Sequence, residues 1–225
     1  MTVRFKELCL DSARDDDVLG RFWAAATGCD FRAGRAPGDL GDVIGTEEGM
    51  GIAICPVPET KTVKHRVHLD VYAASVESVI AMGATVAPDQ DPKDDWTVLL
   101  DPEGGELCVF VRNPLPAPYR TFEVNVDSVD AASIAAWWGE LFGVPVVDQH
   151  GYPTLSGVPG MPFEMFLFDD SVPEPKTVKN RLHWDVYGDV GDVLEHGATL
   201  LRELPEWTVL ADPEGNEFCV FAPPA

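Results

Sequence analysis

Apolar and polar residues alternate from Phe5 to Asp11, with Leu8 and Leu10 on one side and Glu7, Cys9 and Asp11 on the other. This is the pattern of a strand with one buried face. The spacing then changes to that of a helix, with apolar positions at Val18, Leu19, Phe22 and Trp23. Asp15 to Asp17 are placed to supply its N-cap and first-turn carboxylates, and Gly28 to stop it. Short apolar runs follow at Asp42-Val43-Ile44 and from Gly51 to Cys55, around a glycine-rich stretch from Gly34 to Gly51. They predict strands separated by turns. From Arg66 the order begins again with a strand to Tyr72, a helix from Ser75 to Met82 stopped by Gly83, and Thr85-Val86. Two further strands, Trp96 to Leu100 and Leu107 to Phe110, flank the turn Asp101-Pro102-Glu103-Gly104-Gly105.

Asn113-Pro114-Leu115-Pro116-Ala117-Pro118 then interrupts the pattern, because prolines at this density join neither a helix nor a central sheet. Beyond it the series recurs. Phe122 to Ser128 matches Lys6 to Ser12, Trp137-Trp138 matches Phe22-Trp23, and Gly143 matches Gly28. The hairpin from Trp207 to Phe221 matches that from Trp96 to Phe110. The plainest sign of duplication is Lys61 to Tyr72 against Lys176 to Tyr187, identical at nine of twelve positions. The chain therefore reads as α+β, with four strand-helix-strands modules. The expected organisation is two domains, 1–113 and 119–225, joined by a linker at 114–118. A single helix covers one face of each module, so modules must pair, and the mixed, curved sheets enclose a cleft.

At 225 residues and 45% hydrophobic content the chain can bury a substantial core. It contains no apolar run of about 18 residues that would span a bilayer, and Met1 to Glu7 lacks the apolar core of a signal peptide. A cytoplasmic location is expected. The five cysteines form neither a CxxC pair nor a scaffold density and read as reduced thiols. The formal net charge of −22 argues against nucleic acid and anionic membrane as partners. Against that background the lysines and arginines of the repeated stretch are local positive charge. They could hold a small anion or pair with surface carboxylates. Arg66 and Arg181, whose planar forks suit carboxylates, are the expected holders of an anionic substrate group.

In the repeated strand His68 and Asp70, and likewise His183 and Asp185, share one face. Polar residues at that spacing point to a cavity wall. The aspartates could orient the histidines, act as general bases, or pair with Arg66 and Arg181. Trp96 and Trp207 could floor a cleft for a flat ligand or belong to the core. Trp23, Trp137 and Trp138 are assigned to the core, His65, His150 and His196 to the surface, and Asp101 and Asp212 to their turns.

The βαβββ order, the aromatic pair late in the first helix, the His-bearing strand and the Asp-Pro-Glu-Gly turn recur in both halves. Together they resemble the vicinal oxygen chelate superfamily, which includes glyoxalase I, bleomycin- and fosfomycin-resistance proteins and extradiol dioxygenases. The likeness is strongest to tandem glyoxalase-like domains. The resemblance implies a divalent metal held by Glu7, His68 and Cys108 in one half and by Glu123, His183 and Cys219 in the other. Cys stands where the family's enzymes usually have Glu, and Glu where they commonly have His or Gln. Zinc is favoured if Cys participates, iron or manganese if Glu106 or Glu217 takes its place. The alternative is a metal-free cleft with the Cys as a small buried residue. The implied function is an enzyme acting on a vicinal-oxygen or carbonyl-carboxylate substrate by proton transfer or metal-assisted isomerisation, lysis or addition. In it His68 and His183 anchor the ion or shuttle a proton, and Glu106 and Glu217 serve as ligand or base. The other class is a non-catalytic protein that sequesters a drug. His183, Asp185, Glu217 and Cys219, with Glu123 across from them, are expected in one cavity. Glu7, His68, Asp70, Glu106 and Cys108 are expected in the other. The second half is favoured as functional, because its turn, Asp212 to Asn216, lies nearer the family form.

Overall fold

The computed structural model describes residues 3–88, 90–91, 95–172 and 174–224. The first module comprises β1 (Arg4–Ser12), α1 (Val18–Thr27), β2 (Asp30–Arg32), β3 (Asp42–Ile44) and β4 (Ile52–Pro56). The second comprises β5 (Val67–Ala73), α2 (Val76–Ile80), β6 (Thr85–Val86), β7 (Thr97–Leu100) and β8 (Glu106–Val111). The third runs through β9 (Thr121–Asp127), α3 (Ala131–Phe142), β10 (Val146–Gln149), β11 (Tyr152–Ser156) and β12 (Met165–Asp169). The fourth runs through β13 (Leu182–Tyr187), α4 (Val190–Glu195), β14 (Thr199–Glu203), β15 (Trp207–Ala211) and β16 (Glu217–Phe221).

Two mixed eight-stranded sheets result, and their strand orders correct the expected pairing. The first sheet is β14-β15-β16-β13-β1-β4-β3-β2, and the second is β10-β11-β12-β9-β5-β8-β7-β6. The first module thus joins the fourth, and the second joins the third. Neither half of the sequence builds a cleft by itself. The seams are antiparallel: β1 meets β13 with Cys9 opposite His183, and β5 meets β9 with Asp70 opposite Glu123. The crossing is fixed by the stretch between β4 and β5. Val57 N–H still bonds Ser12 O at 2.9 Å in the first sheet. A few residues later Lys61 reaches Glu106 at 2.7 Å and Lys64 pairs with Asp127, both in the second sheet.

Each sheet is also fastened to the other through its neighbour's turn. Trp23 on α1 donates its indole N–H to Asp101 at 3.1 Å, and Trp138 on α3 donates to Asp212 at 3.2 Å. The same aspartates bind their own turns, Asp101 taking the amides of Glu103 and Gly105 and Asp212 those of Glu214 and Asn216. Glu214 accepts the amides of Val129 and Asp130 at the start of α3. The N-terminus of α1 differs from expectation. Asp17, its N-cap, makes no side-chain cap bond, because it pairs with Arg21 at 2.7 Å while Asp16 pairs with Arg14. Gly28 ends α1 at φ 77° and Gly143 ends α3 at φ 71°, the left-handed region where a Cβ is costly.

Candidate functional site

On one face of the second sheet the two-residue period places His68 and Asp70 of β5 beside residues of both neighbouring strands, β9 and β8. Asn125 lies opposite His68, Glu123 opposite Asp70, and Cys108 of β8 pairs with Asp70 from the other side. They floor a cavity of about 440 Å³. Its walls are apolar: Trp96 stacks on Phe110 at 5.6 Å, Phe110 meets Phe122 edge-on at 5.1 Å, and Tyr152, Met165 and Leu167 close the far side. A flat apolar body fits such walls, with polar chemistry confined to one end.

Burial sets the protonation of that floor. His68 Nε2 lies 3.5 Å from Asp70 Oδ1, yet desolvation lowers the imidazole to about 4, so it is neutral at pH 7. The Asp70 carboxyl is pushed well above its usual range, first by burial and then by Glu123. Glu123 rises to about 6, mainly through burial. Adjacent carboxylates in a low dielectric do not both ionise readily, and Asp70 is the one held towards its protonated form. The Cys108 thiol is raised by burial and then by Asp70 and stays protonated.

A divalent cation suits these residues. His68, Asp70 and Cys108 each offer a donor atom, all within 4.8 Å of one another. His68 Nδ1 and Asp70 Oδ1 are buried without a hydrogen-bond partner among the described residues, and buried polar atoms left so are unusual. Imidazole, carboxylate and thiol together form a borderline-soft set of the kind zinc prefers.

The first sheet repeats the constellation with different neighbours. His183 Nε2 lies 3.5 Å from both Asp185 Oδ1 and Cys219 Sγ. Burial lowers His183 to about 3 and raises Asp185 to about 7. Here the facing strand is β1, so Glu7 lies opposite Asp185. Glu7 pairs with Lys6, whose ammonium sits 4.2 Å over the Phe221 ring and 4.0 Å from Asp185. The expected ligand sets are therefore exchanged: Glu7 joins His183 and Cys219, and Glu123 joins His68 and Cys108. The cavity of about 440 Å³ lies over His68, the histidine of the repeat that the turn sequence did not favour.

Several expected site residues are committed to other partners, Glu106 while lining the cavity. Glu106 accepts from Lys61 at 2.7 Å and from the His65 amide at 3.0 Å; Glu217 accepts from Lys176 at 2.6 Å and from the Asn180 amide at 3.1 Å. Each carboxylate braces the repeated loop instead of standing free as ligand or base. Arg66 donates to Glu174 O. Arg181 is buried and donates to Glu59 O at 2.7 Å, Asp11 O at 2.9 Å and Glu103 at 2.7 Å. Both arginines border a separate cavity of about 210 Å³ between the two repeated loops. They are paired with neither Asp70 nor Asp185. The lysines follow the salt-bridge alternative, Lys64 to Asp127 and Lys179 to Asp11 at 2.5 Å completing the set.

Trp96 lines the large cavity, whereas Trp207 stacks on Phe221 at 5.6 Å beside the first-sheet cleft. His65 is buried, not at the surface, and His196 packs on Trp137, accepting its indole N–H through the backbone at 2.8 Å. His150 is exposed, as expected, and also lines the cavity; Asn125 and Tyr152 line it unanticipated, brought there by the β9 register and the β10–β11 turn.

This geometry is that of paired βαβββ modules around a cleft, the architecture of the vicinal oxygen chelate superfamily. The sequence matches the glyoxalase-like domain twice, over residues 7–110 and 123–221, and the chain belongs to that family. Among solved structures it is similar to glyoxalase I from Zea mays, with a TM-score of 0.71 at 14% identity, covering 98% of this chain and 92% of that one. It is also similar to a putative dioxygenase from Bacillus subtilis, with a TM-score of 0.62 at 12% identity, covering 100% and 86%. At such identities the likeness extends to the fold. No curated protein sequence matches the chain. No helix among the described residues is long and apolar enough to cross a membrane.

Proposed function

We propose that the second-sheet cleft binds a small organic molecule with a flat apolar body and moves a proton on a carbonyl-bearing carbon at its polar end. The observation that carries this reading is the placement of Asp70 opposite Glu123 at the floor of an aromatic-walled cavity of about 440 Å³. A carboxylate raised to about 6 is a base matched to neutral pH. Neutral His68 is placed to hydrogen-bond the oxygen on which charge develops. A divalent cation, where bound, would be held by His68, Asp70 and Cys108 and would polarise that oxygen. Lys64 is the lone lysine or arginine among the described lining residues, and it is committed to Asp127. The cleft therefore suits a neutral or cationic ligand better than the anionic one expected from Arg66 and Arg181.

That acidic lining, with Trp96 and Tyr152 exposed at the cavity, also favours a second reading: sequestration of a cationic aromatic compound without turnover. The test is incubation of the protein in D2O with a panel of enolisable carbonyl compounds and aromatic amines, followed by NMR. Loss of a C–H signal from a carbonyl compound, abolished in Glu123→Gln with binding retained, supports proton transfer. Saturable binding of amines with no exchange in any compound supports sequestration. Binding unaffected by both Glu123→Gln and Trp96→Ala places the ligand outside this cleft and overturns both readings.

A further inference from the structure

The first-sheet cleft is not a copy of the second. Cys9 occupies the β1 position that Asn125 holds on β9, and Cys55 occupies the β4 position that Asp169 holds on β12. Only the first sheet therefore carries two thiols on adjacent parallel strands. Their sulfurs lie 2.7 Å apart, and both residues are free cysteines. We infer that Cys9 and Cys55 form a reversible dithiol–disulfide couple, a redox-modification site in the cleft that also holds His183.

A formed disulfide measures about 2.05 Å, so bond formation asks for less than about one ångström of sulfur movement. The two thiols are unequal. Cys9 is 5% exposed, whereas Cys55 is half-buried and within reach of a small oxidant. The two sulfurs meet across the seam between β1 and β4, and either can donate to the other. The reaction follows for hydrogen peroxide as oxidant. The Cys55 sulfur attacks one peroxide oxygen, an S–O bond forms, the O–O bond breaks, and one water leaves. Cys9 Sγ then attacks the Cys55 sulfenic sulfur, the S–S bond forms, the S–O bond breaks, and the hydroxyl departs as water with the Cys9 proton. Two thiols lose two electrons and two protons, and one peroxide becomes two waters. The other cysteines lack such a partner: Cys29 Sγ lies 3.6 Å from Met50 O, Cys219 lies beside His183, and Cys108 lies beside Asp70. Because Cys9 is opposite His183 in register, oxidation would tie β1 to β4 and withdraw a thiol from beside that histidine.

The experiment is thiol titration and intact-mass measurement on the full chain, first reduced and then exposed to a small excess of hydrogen peroxide. Of five titratable thiols, two should disappear and three remain, with the loss of two hydrogens in mass. Peptide mapping should join the Cys9 and Cys55 peptides, and dithiothreitol should restore all five thiols. Cys55→Ser should show no peroxide-dependent cross-link. Cys9→Ser should instead accumulate oxygen on Cys55, because the sulfenic acid has nothing to resolve it. Cys29→Ser should behave like the parent. A thiol count unchanged by peroxide, a cross-link mapping to another pair, or a cross-link surviving in Cys55→Ser overturns the inference.

Discussion

Arg181 and Arg66 occupy equivalent positions in the repeat but unequal surroundings, which makes them a controlled pair for separating support from substrate contact. Arg181 is buried and donates to two backbone carbonyls, of Glu59 and Asp11, and to the Glu103 carboxylate, so it ties both sheets to the loop between them. Arg181→Ala leaves that carboxylate and both carbonyls short of a donor. Hydrogen bonds to a charged group are worth about 1.5–3 kcal/mol each, and breaking a buried ion pair costs about 3–5 kcal/mol. The Glu103 side chain is 11% exposed and keeps its bonds to Ser12 and the Ala13 amide, so the lower part of that range applies. A loss of about 3 kcal/mol is expected, a fall in Tm of roughly 6–12 °C for a chain of this size. Arg66 is half-buried and bonded to Glu174 O, and its removal should cost under about 1 kcal/mol. Arg181→Lys, which keeps the charge but not the fork, should fall between. Urea unfolding followed by far-UV circular dichroism measures all three. Equal costs for Arg66→Ala and Arg181→Ala, or a cost below about 1 kcal/mol for the latter, would refute the assignment of Arg181 as a brace.

If Glu123 is the base, the exchange rate of a bound carbonyl compound should rise with pH through about 6, since only the ionised form accepts the proton. A profile flat from pH 5 to 8 would remove Glu123 from that role. In chelator-treated protein, Asp185 is raised from 3.8 to about 7, so its favourable contribution is full below pH 3.8 and lost as pH climbs through about 7. Asp185→Asn should therefore gain on the parent by roughly 2–4 kcal/mol between pH 4 and 8, and urea midpoints that shift in parallel would contradict the burial argument. Trp96, 38% exposed, should be replaceable by Ala with little change in stability but about tenfold weaker ligand binding, read by calorimetry.

Local pattern carries local information, and the residues bear this out. Alternation was enough to put His68 with Asp70 and His183 with Asp185 on one strand face, and the duplicated order was enough for the four modules. It could not say which module edge meets which. β1 and β9 share one alternating pattern with Glu7 and Glu123 at the same place in it, so the two were interchangeable until the seams with β13 and β5 were known. Glu106 looked like a ligand because the lysine that occupies it, Lys61, lies 45 positions away. The β10–β11 hairpin has few apolar residues and turns at His150 and Gly151, both at positive φ, so period-two reasoning passed over the element that brings Tyr152 to the cavity. Cys9 was read as one reduced thiol among five, since nothing within its own strand points to Cys55.

The strand order is nested: every strand of the second sheet falls between residues 67 and 169, while the first sheet takes its strands from 4–56 and 182–221. On the ribosome the inner sheet can therefore be completed while the outer one is still half made. After Pro56 emerges, 125 residues pass before Leu182, an interval of roughly 6–25 s at about 5–20 residues per second. Throughout it β1 presents an open edge with the apolar residues Leu8 and Leu10 beside it, a surface on which a second nascent copy could pair in place of β13. Slow translation across the middle of the message should therefore lower the yield of folded protein, whereas supplying residues 119–225 in trans should rescue it.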